Sequence, residues 1–341
     1  MTGKAAALDE TSLFQPYETA AAVLVAVSGG PDSMALLALA ARWGKTPGRP
    51  RIEAATVDHG LREGSRSEAE GVARAAAALG VPHHLLTWTG PKPSTRLQER
   101  AREARYALLD ACAARIGASV LLTAHHADDQ AETILFRLTR GSGVAGLAGM
   151  ARETRRGNLV HGRPLLGVGK AGLVAFCEAE GISFVTDPSN SDPRFARTGL
   201  RRLTEVLAAA GLGRDGLLRL GARAARAEAA LADCARLRLD FPGAETGEGL
   251  YRANISALRE APPEFLVRLL SREIARLRPD GAPPRLDRAE ALAARLAAAL
   301  GTGAGLGASL GGMVARLDKK GVLTLSPEPP RLSRVHRQRS L

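Results

Sequence analysis

"LVAVSGGPDSMALLALA", Leu24–Ala40, joins two apolar runs through six small or polar residues. The first run is short and rich in valine, which reads as a buried strand. The second carries apolar residues at helical spacing. Between them stand Ser28, Gly29, Gly30, Pro31, Asp32 and Ser33. Glycine lets backbone N–H groups approach a ligand with no Cβ in the way. Pro31 suits an early helical position, where the missing N–H costs nothing. A helix start beside bare glycines favours negative charge. The hydroxyls of Ser28 and Ser33 add donors. The stretch therefore reads as an anion cradle, and phosphate is the usual guest of such a cradle.

The pattern around this stretch sets the fold. Strands are expected at Val23–Val27, Ile52–Val57, His83–Trp88 and Val120–Thr123. Helices are expected at Asp32–Arg42, Ser67–Leu79, Ser94–Ile116 and Asp128–Thr139. The third of these opens on Thr95-x-x-Gln98, the spacing of a capping box. Strand and helix in alternation imply a parallel sheet covered on both faces. Ligands of such sheets sit at the carboxyl ends of the strands. Those ends are Ser28–Ser33, Asp58–Arg62 and Thr123–Asp129, all polar.

Beyond Gly141-Ser142-Gly143 the chain reads as loop-rich, then helical and rich in arginine. From Arg194 to Asp240 there are ten arginines against five acidic residues. Two or three helices are expected over Ala257–Leu300. A hairpin is expected over Met313–Leu325, turning at Lys319-Lys320-Gly321. The full chain of 341 residues carries a net charge of +12, which favours a polyanionic partner. Cys112, Cys177 and Cys234 are far apart and have neither metal-ligand nor redox spacing. No apolar run has the length of a membrane span, and Asp9, Glu10 and Glu18 interrupt any secretory pattern at the start. A cytoplasmic protein is expected.

Two familiar nucleotide motifs are excluded by context. Gly44-Lys45-Thr46 ends like a kinase-type P-loop, but Leu39 stands where its first glycine belongs, and a helix precedes it. Gly303-x-Gly305-x-x-Ala308 has dinucleotide spacing but follows a helix, so it reads as a helix stop. Ser28-Gly29-Gly30-Pro31-Asp32-Ser33 instead resembles the SGGxDS pyrophosphate loop of the N-type ATP pyrophosphatases, the PP-loop superfamily. Three further stretches narrow the resemblance: Val57–Arg62 (VDHGLR), Arg100–Tyr106 (RAREARY) and Thr123–Gly143 (TAHHADDQAETILFRLTRGSG). With Asp187-Pro188-Ser189-Asn190 they occur in the order seen in the tRNA(Ile)-lysidine synthetases, which the chain resembles over about Val23–Arg201.

The resemblance implies an α/β fold. A PP-loop, adenine nucleotide α-hydrolase-like domain is expected over 15–212, and a smaller, mainly helical tRNA-binding domain over 213–330. The basic tail 331–341 is expected to be disordered. It also implies a ligase. ATP adenylates the C2 oxygen of the wobble cytidine in the CAU anticodon of tRNA(Ile). The ε-amino group of free L-lysine then displaces AMP. Pyrophosphate binds Ser28–Ser33, and Asp32 is a candidate Mg²⁺ ligand; its bland reading is an acid on a helix dipole. Asp58 and His59 approach adenine or ribose. Asp129 and Glu132, three residues apart, share a helix face and bind lysine; their bland reading is first-turn acids. Arg105 and Arg197 contact the phosphate and the reacting cytidine, although Thr198 replaces the asparagine usual after Arg197. Arg201, Arg202 and Arg219 are expected on the tRNA backbone. His125 and His126 are expected behind the reacting groups or against the nucleotide. A tRNA thiolase, a small-molecule amidotransferase and a non-catalytic nucleotide sensor are the alternatives, and homodimerisation stays open.

Overall fold

The computed structural model describes residues 8–60, 64–90, 92, 95–185, 203–204 and 206–329. The first unit is built on six strands: β1 (Ala22–Ala26), β2 (Arg51–Asp58), β3 (His83–Thr87), β4 (Val120–Leu122), β5 (Glu153–Arg156) and β6 (Leu159–Gly162). Their order is β3-β2-β1-β4-β6-β5. β3, β2, β1, β4 and β6 are parallel, with Val23 set between Ile52 and Val120. β5 closes the edge antiparallel to β6. The helices are α1 (Glu10–Phe14), α2 (Pro31–Gly44), α3 (Ser65–Ala78), α4 (Leu97–Ile116), α5 (Ala127–Leu138), the single turn α6 (Val144–Leu147) and α7 (Lys170–Ala179).

Alternation along β1 explains why both faces are covered. Val23 and Val25 join Leu36, Leu37, Leu39, Leu173 and Cys177 in a core on one side. Ala22 and Leu24 join Leu109, Cys112, Ala113 and Leu121 on the other. A strand buried on both faces must be apolar throughout, and this one is. The chain runs outward from β1 through β2 to β3, then returns to place β4 on the other side of β1. The strand order therefore reverses between β1 and β4, which is where such sheets open a ligand crevice.

Two local expectations need correction. The capping box at Thr95 and Gln98 does not form: Arg96 is the N-cap, at φ +53°, with no side-chain cap. The stretch after residue 143, read as loop, contains the β5–β6 hairpin that extends the sheet.

Helix α8 (Arg214–Arg238) leads from the first unit, which reaches Ala224, into the second. The second unit contains α9 (Glu264–Leu277), α10 (Leu286–Thr302) and a five-stranded antiparallel sheet. Its strands are β7 (Glu245–Gly247), β8 (Leu250–Asn254), β9 (Leu306–Leu310), β10 (Met313–Leu317) and β11 (Val322–Pro327), in the order β7-β8-β11-β10-β9. The expected hairpin is β10–β11, and Gly321 turns it at φ +80°. Of the two or three helices expected over Ala257–Leu300, two α-helices form, α9 and α10. They pack Leu269, Leu270, Leu292 and Leu296 against Tyr251, Met313 and Leu325 of the sheet. Among the described residues, no helix is long and apolar enough to cross a membrane.

Candidate active site

The loop after β1 is tied together by its two serines. Ser28 N–H donates to Ser33 Oγ at 3.1 Å, and Ser33 Oγ donates to Gly30 O at 3.0 Å. The two hydroxyl oxygens lie 3.2 Å apart. Ser33 is buried and acts as the inner tie, while Ser28 is exposed to whatever the loop holds. Gly29 takes φ +87°, and its carbonyl accepts from Val185 N–H at 2.9 Å. Gly30 is the N-cap of α2 and Pro31 its first residue, so the first-turn amides of the helix face the loop.

Asp32, on that first turn, has one buried carboxylate oxygen, Oδ1, without a hydrogen-bond partner among the described residues. Its other oxygen lies 3.5 Å from His126 Nε2. His126 caps α5 at the carboxyl end of β4. Its N–H donates to Asp129 Oδ2 at 3.1 Å, and its Nδ1 accepts from Asp129 N–H at 3.4 Å. Nε2 also lies 3.5 Å from Asp129 Oδ2. One imidazole thus touches the acid of the first loop and the acid of the second. Burial opposes charge on His126, but the hydrogen bond it donates to Asp32 and the charges of Asp129, Asp32 and Asp128 outweigh it and raise its pKa above the ordinary value.

The adjacent acids of α5 divide their work. Asp128 Oδ2 accepts from Lys170 N–H at 2.8 Å, and Oδ1 lies 3.6 Å from Arg214 Nη1. It ties α5 to the starts of α7 and α8. Asp129 faces His126 instead, and Glu132 follows one turn later.

At the end of β2, Asp58 is buried. Its Oδ1 accepts from Ser65 Oγ at 2.7 Å and Gly60 N–H at 2.9 Å. Those two donors hold the carboxyl below its usual range. His59 Nε2 accepts from Arg105 Nε–H at 3.2 Å, which brings α4 to the end of β2. Burial first, then the charges of Arg105 and Lys92, push the His59 pKa down to about 4. Its Nδ1 is buried with no partner among the described residues. Lys92 Nζ sits 3.9 Å over the ring of Trp88, which itself meets His59 edge-on at 6.1 Å.

The structure therefore gathers Ser28–Ser33, Asp32 among them, and Asp129 about the β1–β4 crevice, with Glu132 one turn further along α5, and Asp58, His59 and Arg105 at the neighbouring strand end. Arg219 is exposed on α8. Arg197, Arg201 and Arg202, and the segment 187–190, lie outside the described residues. Four residues of the site's rim were not anticipated as such: Arg102, Tyr106, His161 and Arg163. Arg102 and Tyr106 fall within the RAREARY stretch, one helical turn and one residue from Arg105. Nothing in the local sequence marks His161 and Arg163.

A parallel sheet with its order reversed at β1, a glycine loop at that point and acids on the next strand's helix define a PP-loop ATP-binding protein. Residues 5–207 match the family model described as "PP-loop domain". The chain is 49% identical over 295 residues to the tRNA(Ile)-lysidine synthase of Rhodopseudomonas palustris, covering 84% of this chain and 83% of that one. It is 50% identical over 315 residues to that of a Methylobacterium species, covering 92% and 90%. The chain belongs to the tRNA(Ile)-lysidine synthase family. A U34-tRNA thiolase from Methanococcus maripaludis shares the fold at a TM-score of 0.53 and 15% identity, over 63% of this chain and 77% of that one.

Proposed function

We propose that this protein joins free lysine to C2 of the wobble cytidine of a tRNA(Ile) with a CAU anticodon, converting ATP to AMP and pyrophosphate. One observation carries the reading: His126 spans from Asp32 beside the phosphate loop to Asp129 on α5, 3.5 Å from each. The loop for the leaving pyrophosphate and the acids for the incoming amine are thereby held in one crevice.

The steps follow from the residues. The loop amides and the exposed Ser28 hydroxyl meet negative charge that grows on the β-phosphate as the α–β bond breaks. The cytidine C2 oxygen attacks the α-phosphorus, pyrophosphate leaves, and the ring carbon is activated. The ε-amino nitrogen of lysine attacks C2, loses a proton and expels AMP. Asp129 and Glu132 hold the α-ammonium group of lysine and orient the amine. Arg105, positioned by His59, meets the reacting phosphate and cytidine, and the same role is assigned to Arg197. Asp58 and His59 line the nucleoside end.

Asp32 Oδ1 fits a Mg²⁺ ion, since a buried carboxylate oxygen without a donor suits a hard cation. Mg²⁺ is usually held by one or two carboxylates together with substrate phosphates. Bound there, the ion would neutralise phosphate charge. We place the reaction in the cytoplasm, with tRNA, ATP and free lysine. Cys177, whose pKa burial pushes up to about 11, is a packing thiol there.

The test is incubation with ATP, radiolabelled lysine and tRNA(Ile). Label enters the tRNA only with ATP, and AMP and pyrophosphate accumulate. Formation of ADP, or label entering without ATP, overturns the reading.

A further inference from the structure

A second cluster lies at the same carboxyl edge, on the α4 side, and the steps above do not use it. Thr123 Oγ1 is 2.9 Å from His125 Nδ1 and 3.0 Å from His161 Nε2. His161 Nδ1 accepts from Arg163 Nη2 at 3.3 Å. Arg163 is only 9% exposed. Its Nη1 donates to Ala151 O at 2.9 Å, and its Nε is buried with no partner among the described residues. The His161 ring meets Tyr106 edge-on at 5.2 Å, and the Arg102 guanidinium lies 5.1 Å from the centre of that same tyrosine ring. Arg156 lies at 5.2 Å from it but is paired with Asp110. Among the described residues, no carboxylate pairs with Arg102 or Arg163.

This arrangement is electrostatically open. Arg102 and Arg163 act on one another and on both imidazoles. Burial drives the pKa of His125 to about 4 and of His161 to about 3, so both rings are neutral at pH 7. Arg163 is buried with its positive charge offset by no carboxylate among the described residues, and the solvent-exposed Arg102 adds a second guanidinium that an incoming ligand can reach. The complement of a guanidinium is a planar anion with two oxygens. His125 also feels Asp129, so the arginine cluster and the lysine acids share a neighbour.

The amino acid substrate offers that anion. Its α-carboxylate and α-ammonium are attached to one carbon, so the acids of α5 and the arginines must be met together. We propose that Arg102, steadied on Tyr106 and backed by the charge of Arg163, receives the α-carboxylate of lysine and selects the free amino acid over a diamine of the same length. The inference rests on the reading that Asp129 and Glu132 hold the α-ammonium.

The experiment compares L-lysine with cadaverine, which keeps the attacking amine but lacks the carboxylate. Label transfer to tRNA(Ile) is measured for the wild type, Arg102→Ala and Arg102→Lys. Losing a charged hydrogen-bonded pair raises KM by about 10- to 100-fold. Arg102→Ala should raise KM for lysine by that amount with kcat little changed. Its kcat/KM for cadaverine should match that of the wild type, and its KM for tRNA should not move. Arg102→Lys should recover part of the lysine affinity. An equal loss for lysine and cadaverine overturns the proposal, and so does a rise confined to the KM for tRNA. If the wild type transfers neither substrate, the proposed function itself has failed, a result distinct from either.

Discussion

Asp32 shows how much one side chain can decide. It stands on the first turn of α2, where any acid gains from the helix dipole. That alone would leave it solvated. Here one oxygen is buried without a donor among the described residues, and the other faces a buried imidazole. A carboxylate in that state awaits a cation. Asp32→Ala should therefore abolish tRNA-dependent ATP–pyrophosphate exchange while leaving the thermal unfolding midpoint within a few degrees. Undiminished exchange would remove the loop from adenylation. His161 makes the opposite case, a buried ring kept neutral. Its pKa in the folded chain is about 3, below the 6.5 of an unperturbed imidazole. Between those values the unfolded chain takes a proton that the folded chain refuses. Its contribution is thus intact above about pH 6.5 and is lost as the pH falls toward 3, at up to ~1.4 kcal/mol per pH unit. Urea unfolding at pH 7, 6 and 5 should show His161→Gln with a shallower pH slope than the wild type. Identical slopes would contradict the assignment.

At the scale of elements, α5 carries Asp129 and Glu132, and what fixes α5 fixes the site proposed for lysine. Ala131, Ile134 and Leu135 pack with Leu217 of α8. The close approach depends on Gly221: a Cβ there would lie 2.5 Å from Ile134 Cδ1 and 3.4 Å from the Leu147 carbonyl. Gly221→Val should destabilise the protein by about 1–3 kcal/mol through overpacking. It should also raise KM for lysine more than KM for ATP, since α5 must shift while the loop after β1 need not. Equal effects on both would show that α5 is not what moves. This dependence is invisible in the sequence, where Gly221 is an ordinary helical glycine. By contrast β1, β2, β3 and β4 were legible to within one or two residues: β1 and β4 are continuous buried apolar runs, and β3, a half-buried edge strand, is marked off by Gly80 and Pro82 before it. β5 was not: Glu-Thr-Arg-Arg is exposed along its whole length and has no apolar alternation to read. The second sheet was visible only as β10–β11, since β7 has three residues, all exposed, and β9 carries Gly307 among its five. The site followed the same rule. Asp32 and Asp129 could be placed together because both follow strands. The bond from Arg105 to His59 joins residues 46 apart on different elements, and only packing creates it.

For the whole molecule, the excess of positive charge requires a partner of matching size. A net charge of +12 on 341 residues exceeds what a nucleotide and an amino acid need. A tRNA backbone supplies the complement, and its contribution to binding is set by counterions released from the phosphates. Arg219 is exposed on α8, with no ion pair to a described residue, and Arg201 and Arg202 precede it in the stretch 194–240, which has ten arginines against five acids. Each phosphate contact adds about 0.7–0.9 to the slope of log K against log salt. Reversing all three arginines to glutamate should weaken tRNA binding at low salt and flatten that slope by about two to three. Pyrophosphate exchange at saturating tRNA should recover, because the charge acts on capture of the RNA and not on the phosphate loop. An affinity unchanged at every salt concentration would place the RNA on another face of the protein. A loss of affinity with the slope preserved would mean that these arginines shape the protein rather than contact phosphate.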